Sequence, residues 1–375
     1  EIEPLRFKAL VTFALPAVLC YTFVERSTRF GFGLGAIFLA GAIGSLSDTS
    51  VQYQTRSFYG VLRVELNGPF FRLLHGTTLH GVQVRADAFP ELEMYRDAPL
   101  AYYAQTGPVG HLFDAYNPPN IRPIGAAAGP AAMLVRRPGI RPNLGVVGLG
   151  TGTMACYAEH GQHLTFFDID PAVRDISFNK DGYFSYVEDA RDRHVVVEDL
   201  VLGDARLTMK RQQLADDDKY GILVVDAFSS DAIPIHLINE NALRVFRDKL
   251  SANGIIAYHI SNRHLDLLPV LANIAEADNM VGLYVQDPED REIYKTATTW
   301  VLLAAKHEDL ERLDEQDWAR QTGVRHWDQI QPAMRTAGFA APKLDSFWHD
   351  LRERRDPRVG VWTDDYSNLL SVFRW

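Results

Sequence analysis

From Leu144 onward, short apolar runs alternate with helix-compatible segments, and this alternation limits the folds available to the chain. "LGVVGL" precedes "TMACYAEH", "HLTFFDID" precedes a helix opening at Pro171, and "HVVVED" precedes "ARLTMKRQQL". "YGILVVDAF", "IHLINENALRVFRDKL", "GIIAYHIS" and "LDLLPVLANIAEA" continue the series, and "NMVGLYVQ" and "TTWVLLAA" read as two closing strands. Strands alternating with helices imply a mostly parallel sheet covered on both faces. In such a sheet ligands sit at the carboxyl ends of the strands. The first expected strand runs into Gly148, Gly150 and Gly152 with Thr151 among them. Glycines so spaced let the backbone turn tightly and approach a ligand. No Lys-Ser/Thr pair follows, so the loop is not a P-loop phosphate cradle.

Acidic residues fall where the expected strands end. Asp168 and Asp170 close the second strand, about 20 residues after the glycines, where a carboxylate can accept from ribose hydroxyls. Asp170 also precedes Pro171 and is placed to cap the helix. Asp204 and Ala205 follow the third strand, on the side where an adenine amino group would lie. Asp226 and Asp231 lie in "VVDAFSSDAIP" after the fourth. Helix capping and, for the tyrosines discussed below, core packing are the alternative readings.

The remaining sequence bounds the function. The chain has 375 residues and a formal net charge of -10, which argues against nonspecific nucleic-acid binding. Cys20 and Cys156 are too few and too separated for a disulfide framework, and no His, Asp or Glu spacing suggests a metal site. Residues 51 to about 85 read as a small antiparallel β unit with a turn at "NGP". "PLAYYAQTGPVGHLF" reads as helical until Gly107-Pro108 stops it. Upstream, "FKALVTFALPAVLCYTFV" and "FGFGLGAIFLAGAIGSLS" are nearly free of charge and close to the roughly 17–25 residues that span a bilayer. Separated only by "ERSTR", they are expected to form a transmembrane helical hairpin. Because the first residue is Glu1, the chain is expected to be a fragment or a processed form.

The ordered set "GLGTGT", "FDIDP", "GDAR" and "DAFSSDAIP", with a small β unit before it, resembles the spermidine synthase (polyamine aminopropyltransferase) family, specifically its membrane-fused branch. The resemblance covers about Arg56 to Ala305. It implies an α/β fold with a Rossmann-like, methyltransferase-type sheet, a small N-terminal antiparallel unit and two preceding transmembrane helices. The corresponding domains are 1–50, 51–116 and 117–375. It implies aminopropyl transfer from decarboxylated S-adenosylmethionine to an amine acceptor, with release of methylthioadenosine. Asp226 then matches the base, with Asp231, Tyr102 and Tyr294 around the acceptor. Gly148, Gly150, Thr151, Gly152, Asp168, Asp170, Asp204 and Ala205 bind the donor, and Tyr103, His80 and Gln83 border it. Three positions depart from the family pattern. Thr151 stands where the family carries an acid toward the donor amine, and Gly60 and Tyr103 stand where it carries Gln. These departures leave open intact S-adenosylmethionine as donor, cyclised, eliminated or used for methyl transfer, and also a non-catalytic adenosyl-ligand sensor. The resemblance further implies a multi-pass protein of the cell membrane, in contact with lipid through its N-terminal helices. Its catalytic domain would be cytoplasmic, and the β unit could help form a homodimer. His259, Ser261 and Asn262 in "YHISNR" and Asp364 to Tyr366 in "TDDYSN" are further rim candidates.

Overall fold

The computed structural model describes residues 15–46, 50–86, 88–117, 142–179, 182–227, 234–288, 294–314 and 348–374. The chain divides into two compact units, Glu1–Gln52 and Tyr53–Trp375.

The first unit contains helices α1 (Leu15–Tyr21) and α2 (Ser27–Leu46). They close on a small residue: a Cβ at Gly33 would lie 3.1 Å from the Cys20 sulfur. The expected membrane hairpin is overturned here. Among the described residues no helix is long and apolar enough to cross a membrane. The described part of α1 has seven residues, about 10 Å at 1.5 Å per residue, against a hydrocarbon core of about 30 Å. α2 opens on Ser27, Thr28 and Arg29, and glycines at 31, 33 and 35 dilute its apolar content. The two transmembrane helices of the expected fold, the membrane-fused branch, the lipid contact and the multi-pass localisation are therefore withdrawn together.

A four-stranded sheet follows in the order β1 (Val51–Ser57), β2 (Gly60–Asn67), β3 (Phe70–His75), β4 (Thr78–Val84), all of it but Val51 and Gln52 in the second unit. β2, β3 and β4 pair antiparallel, with Leu62 opposite His75 and Phe71 opposite Gln83. Alternate residues Leu62 and Val64 of β2 are buried, as one covered face requires. The next stretch corrects the sequence reading. A single 3-10 turn covers Ala101–Tyr103, and Pro108 opens helix α3 (Pro108–Tyr116) rather than ending one. A proline's missing N–H costs nothing at the first helical position.

The large sheet contains β5 (Asn143–Val147), β6 (His163–Asp168), β7 (Val196–Val197), β8 (Val201–Leu202), β9 (Tyr220–Val225), β10 (Leu250–His259), β11 (Val281–Asp287), β12 (Thr298–Ala304) and β13 (His349–Asp350). Its order is β13-β11-β12-β10-β9-β5-β6-β7, with β8 also on β6. β5 to β10 pair parallel, whereas β12 pairs antiparallel with both β10 and β11. The interleaved helices are α4 (Pro171–Ser177), α5 (Tyr186–Asp192), α6 (Ala205–Arg211), α7 (Glu240–Asp248), α8 (Leu268–Ala277) and α9 (Glu311–Asp314). Both sheet faces are buried, so the central strands are continuously apolar. Ile222, Val224, Ile255 and Ala257 enter one core, while Leu223, Val225, Ile256 and Tyr258 enter the other. β5 lies between β9 and β6, so the chain leaves it in opposite directions on its two sides. That switch point opens a crevice at the carboxyl ends of β5, β6 and β9. One expected helix is missing: after the glycines only a 3-10 turn, Thr153–Tyr157, forms before β6 begins.

Candidate active site

The crevice holds a cleft walled by both sheets. His75 and His80 come from the small sheet and Tyr59 from the turn between β1 and β2. Gly148, Gly150, Asp168, Asp170, Gly203, Asp204, Ala205 and Asp226 come from the strand ends of the large one, and Tyr102 and Tyr103 from the 3-10 turn.

The glycine loop is built for contact between chain segments. Gly148, Gly150 and Gly152 all have positive φ, at 101°, 52° and 80°. A Cβ on Gly148 would lie 2.1 Å from the Asp226 carbonyl oxygen, and one on Gly150 2.9 Å from that of His80. One on Gly152 would meet Val187 at 2.8 Å. The loop thus sits directly against Asp226 and β4. Gly148 and Gly150 reach the cleft wall, but Thr151 and Gly152 do not. Thr151 is fully buried, its hydroxyl 2.7 Å from that of Thr153, and it packs where Gly81 leaves room. The substitution that reopened the choice of donor therefore lies behind the wall. Gly60 has a similar explanation, since a Cβ there would fall 2.2 Å from His75 Nε2. That nitrogen also lies 2.9 Å from the Tyr59 carbonyl oxygen, which fixes His75 in the wall.

Asp168 receives the Asp170 and Leu149 N–H groups at 2.9 and 2.8 Å, one on each oxygen. It is partly open to the cleft, yet the protein packed around it pushes its carboxyl up to about 6, with those backbone donors opposing. Each oxygen has a lone pair left for a further donor. Asp170 also reaches the wall but is spent on structure. It caps α4 through the Ala172 N–H at 2.9 Å and accepts from the Ser57 hydroxyl at 2.6 Å. Asp204 caps α6 through the Leu207 N–H at 2.9 Å, and its other oxygen lies 2.8 Å from His236 Nε2. Its neighbour Arg206 holds Asp364 through two bonds of 2.6 Å, and Asn239 donates to Asp364 at 3.0 Å. Thr363 to Tyr366 is thus a pinned turn.

Asp226 stands at the end of β9, buried. The structure alters its expected surroundings. Tyr103, not Tyr102, donates its hydroxyl to Asp226 Oδ2. Burial first, and then the Asp226 charge, push the Tyr103 hydroxyl well above its ordinary range, so it stays protonated and donating. Tyr102 instead stacks on His259, with centroids 4.5 Å apart. His259 Nδ1 lies 2.6 Å from Asp226 Oδ1, a partnership the sequence did not expose.

Two expected site residues are engaged away from the cleft wall. Gln83 bonds the Ser185 hydroxyl, the Ser185 N–H and the Arg96 carbonyl, tying β4 to the start of α5. Tyr294 packs on Phe70 at 4.6 Å and accepts the Ala101 N–H at 2.7 Å, so it steadies the turn that carries Tyr102 and Tyr103. Asp231 lies outside the described residues. Among the described residues no cluster of three or more His, Cys, Asp or Glu side chains could hold a metal ion.

Comparison with known proteins finds partial likenesses. No family model matches the chain. It is 31% identical over 116 residues to the polyamine aminopropyltransferase of Vibrio vulnificus (strain CMCP6). That stretch is 30% of this chain and spans about a third (35%) of the curated relative's length. Among solved structures it is similar to a spermidine synthase in complex with the transition state analogue AdoDATO, at 12% identity and a TM-score of 0.40, over 78% of this chain and 85% of that one. It is also similar to spermidine synthase from Thermotoga maritima, at 13% identity and a TM-score of 0.42, with the same two coverages, 78% and 85%. At these identities and scores the structural likeness carries no inference about activity.

Proposed function

We propose that this chain is a transferase that takes an adenosyl sulfonium donor of the S-adenosylmethionine type, and that it transfers an aminopropyl group to an amine. The observation that carries the reading is the meeting of Asp168, Gly203, Asp204 and Asp226 in one cleft at the switch point of the sheet. Asp168 keeps lone pairs for two ribose hydroxyls. Ala205 and the open face of Gly203 supply a flat place for a base, where a Cβ would meet nothing nearer than 3.5 Å. The partial match to a polyamine aminopropyltransferase supports the finer choice of transferred group.

The donor supplies a carbon activated by a positively charged sulfur, which departs with the C–S electron pair as the new C–N bond forms. What remains for the protein is to align the two reactants and to remove the acceptor's ammonium proton. Asp226 suits both tasks: its charge attracts the cationic amine, and its remaining lone pairs can take the proton. Tyr103 holds the carboxylate from Oδ2, and Tyr102 closes the wall beside it.

Calorimetric titration tests the binding half. Methylthioadenosine, which shares the adenosyl part of either donor, should bind the wild type and Asp226→Asn alike. Asp168→Ala should lose at least about tenfold in affinity, the scale of hydrogen bonds to a charged group. Equal affinity for Asp168→Ala, or no heat with the wild type, would defeat the assignment of the cleft.

A further inference from the structure

An ionised carboxylate as buried as Asp226 persists only where donors satisfy it. Tyr103 supplies one donor and His259 the other. At 2.6 Å a ring nitrogen and a carboxylate oxygen must share a proton. When Asp226 is ionised, that proton belongs to Nδ1.

His259 is fixed independently of Asp226. Its ring is sandwiched between Tyr102, at 4.5 Å and 19°, and Trp300, at 4.9 Å and 21°. Its Nε2 lies 2.7 Å from the Ser261 hydroxyl. That hydroxyl accepts the Thr299 N–H at 2.8 Å and lies 3.3 Å from the Thr298 hydroxyl. A serine hydroxyl has one proton and two lone pairs. With His259 neutral, Ser261 gives its proton to Nε2 and keeps the Thr299 bond. With His259 doubly protonated, Nε2 donates instead, and the Ser261 proton turns to Thr298. Both arrangements satisfy these partners without moving a heavy atom. Among the described residues His259 does not line the cleft, and its Nδ1 faces Asp226.

We infer that His259 is the positioning residue for Asp226. Its Nδ1–H holds Oδ1 and sets the rotation of the carboxylate, while Ser261 and the two stacked rings hold the imidazole. The order is the reverse of a serine-hydrolase triad, in which a carboxylate orients the imidazole that meets the substrate. Here the imidazole stands behind the carboxylate. The inference rests on the reading of Asp226 as the base.

The test compares His259→Asn with His259→Leu in the full chain. Asn can place an amide N–H near the lost Nδ1–H, whereas Leu fills space without a donor. His259→Leu should lower kcat on the order of 100-fold, the scale of a misplaced catalytic group, with the donor KM changed less than about threefold, since His259 does not line the donor's wall. His259→Asn should recover most of the lost kcat. If the residue only packs, the ordering reverses, because Asn is smaller and polar between two rings. Near wild-type kcat in His259→Leu, or no recovery in His259→Asn, overturns the inference. Nitrogen NMR of histidine-labelled protein, with His259 identified by its loss in His259→Asn, reads the bond without turnover. A proton on Nδ1 at neutral pH supports the inference, and a bare Nδ1 overturns it. Should the wild type transfer nothing, the base reading fails, while the Nδ1 signal still decides whether His259 holds Asp226.

Discussion

At the residue scale the site is a set of carboxylates given different work by their surroundings. Asp170 and Asp204 cap helices, Asp168 is kept partly open, and Asp226 is held by a tyrosine and a histidine. Asp226→Asn removes the charge and the proton acceptor while nearly keeping the shape. It should lower kcat by about 100-fold or more in a product assay, the range for loss of a general base, with the donor KM little changed. Tyr103→Phe should cost less, on the order of tenfold in kcat, because it removes one neutral donor to a charged group. Asp168 gives a pH signature. In the proposed complex ribose hydroxyls would donate to its ionised form, and its carboxyl is raised to about 6. Donor affinity should therefore be flat above pH 7 and should fall about tenfold per pH unit below 6. Titrations of methylthioadenosine across pH 5 to 8 would show this, and a flat profile would contradict it. The positions of these acids were legible because strand ends can be read from apolar runs. The Asp226–His259 bond was not, because it joins the ends of two strands 33 residues apart in sequence. Nor was it legible that Tyr103 rather than Tyr102 bonds Asp226, since one short 3-10 turn sends adjacent rings to different neighbours.

At the scale of elements, β5, β6, β9, β10, β11 and β12 of the large sheet were readable from the sequence because both faces are buried and the runs are long, whereas β13 was not read and "HVVVED", read as one strand, gives way to β7 and β8, all three of two residues. The glycine loop was readable as a turn, but the chain contacts it makes were not. Its glycines admit Asp226, His80 and Val187. The helix expected after it fails because Gly152 is left-handed and Ala158 returns to extended backbone, leaving five residues for a 3-10 turn. Gly148→Ala should thus be severe: it combines a φ of 101° with a Cβ 2.1 Å from the Asp226 carbonyl oxygen. Thermal or denaturant unfolding should show a loss of at least about 2 kcal/mol, and any folded fraction should be inactive because Asp226 is displaced. Unchanged stability would mean that the loop shifts freely away from β9.

At the scale of the whole molecule, the second unit assembles its cleft from residues far apart in the chain. The C-terminal residues complete this unit. Trp362 is fully buried in one core of the large sheet, and its carbonyl accepts the Glu240 N–H at 2.9 Å, at the start of α7. Trp362→Ala should cost about 3–5 kcal/mol, seen as a lower unfolding midpoint. Charge-poor length suggested a membrane hairpin at the other end, but length and charge do not fix where helices begin and end, and the described helices do not meet the requirement. The most direct measurement follows methylthioadenosine by chromatography after incubating the full chain with S-adenosylmethionine or its decarboxylated form, with and without putrescine. The expected result is amine-dependent release from the decarboxylated donor by the wild type and its loss in Asp226→Asn. No release from either donor, or equal release by Asp226→Asn, would contradict the proposal.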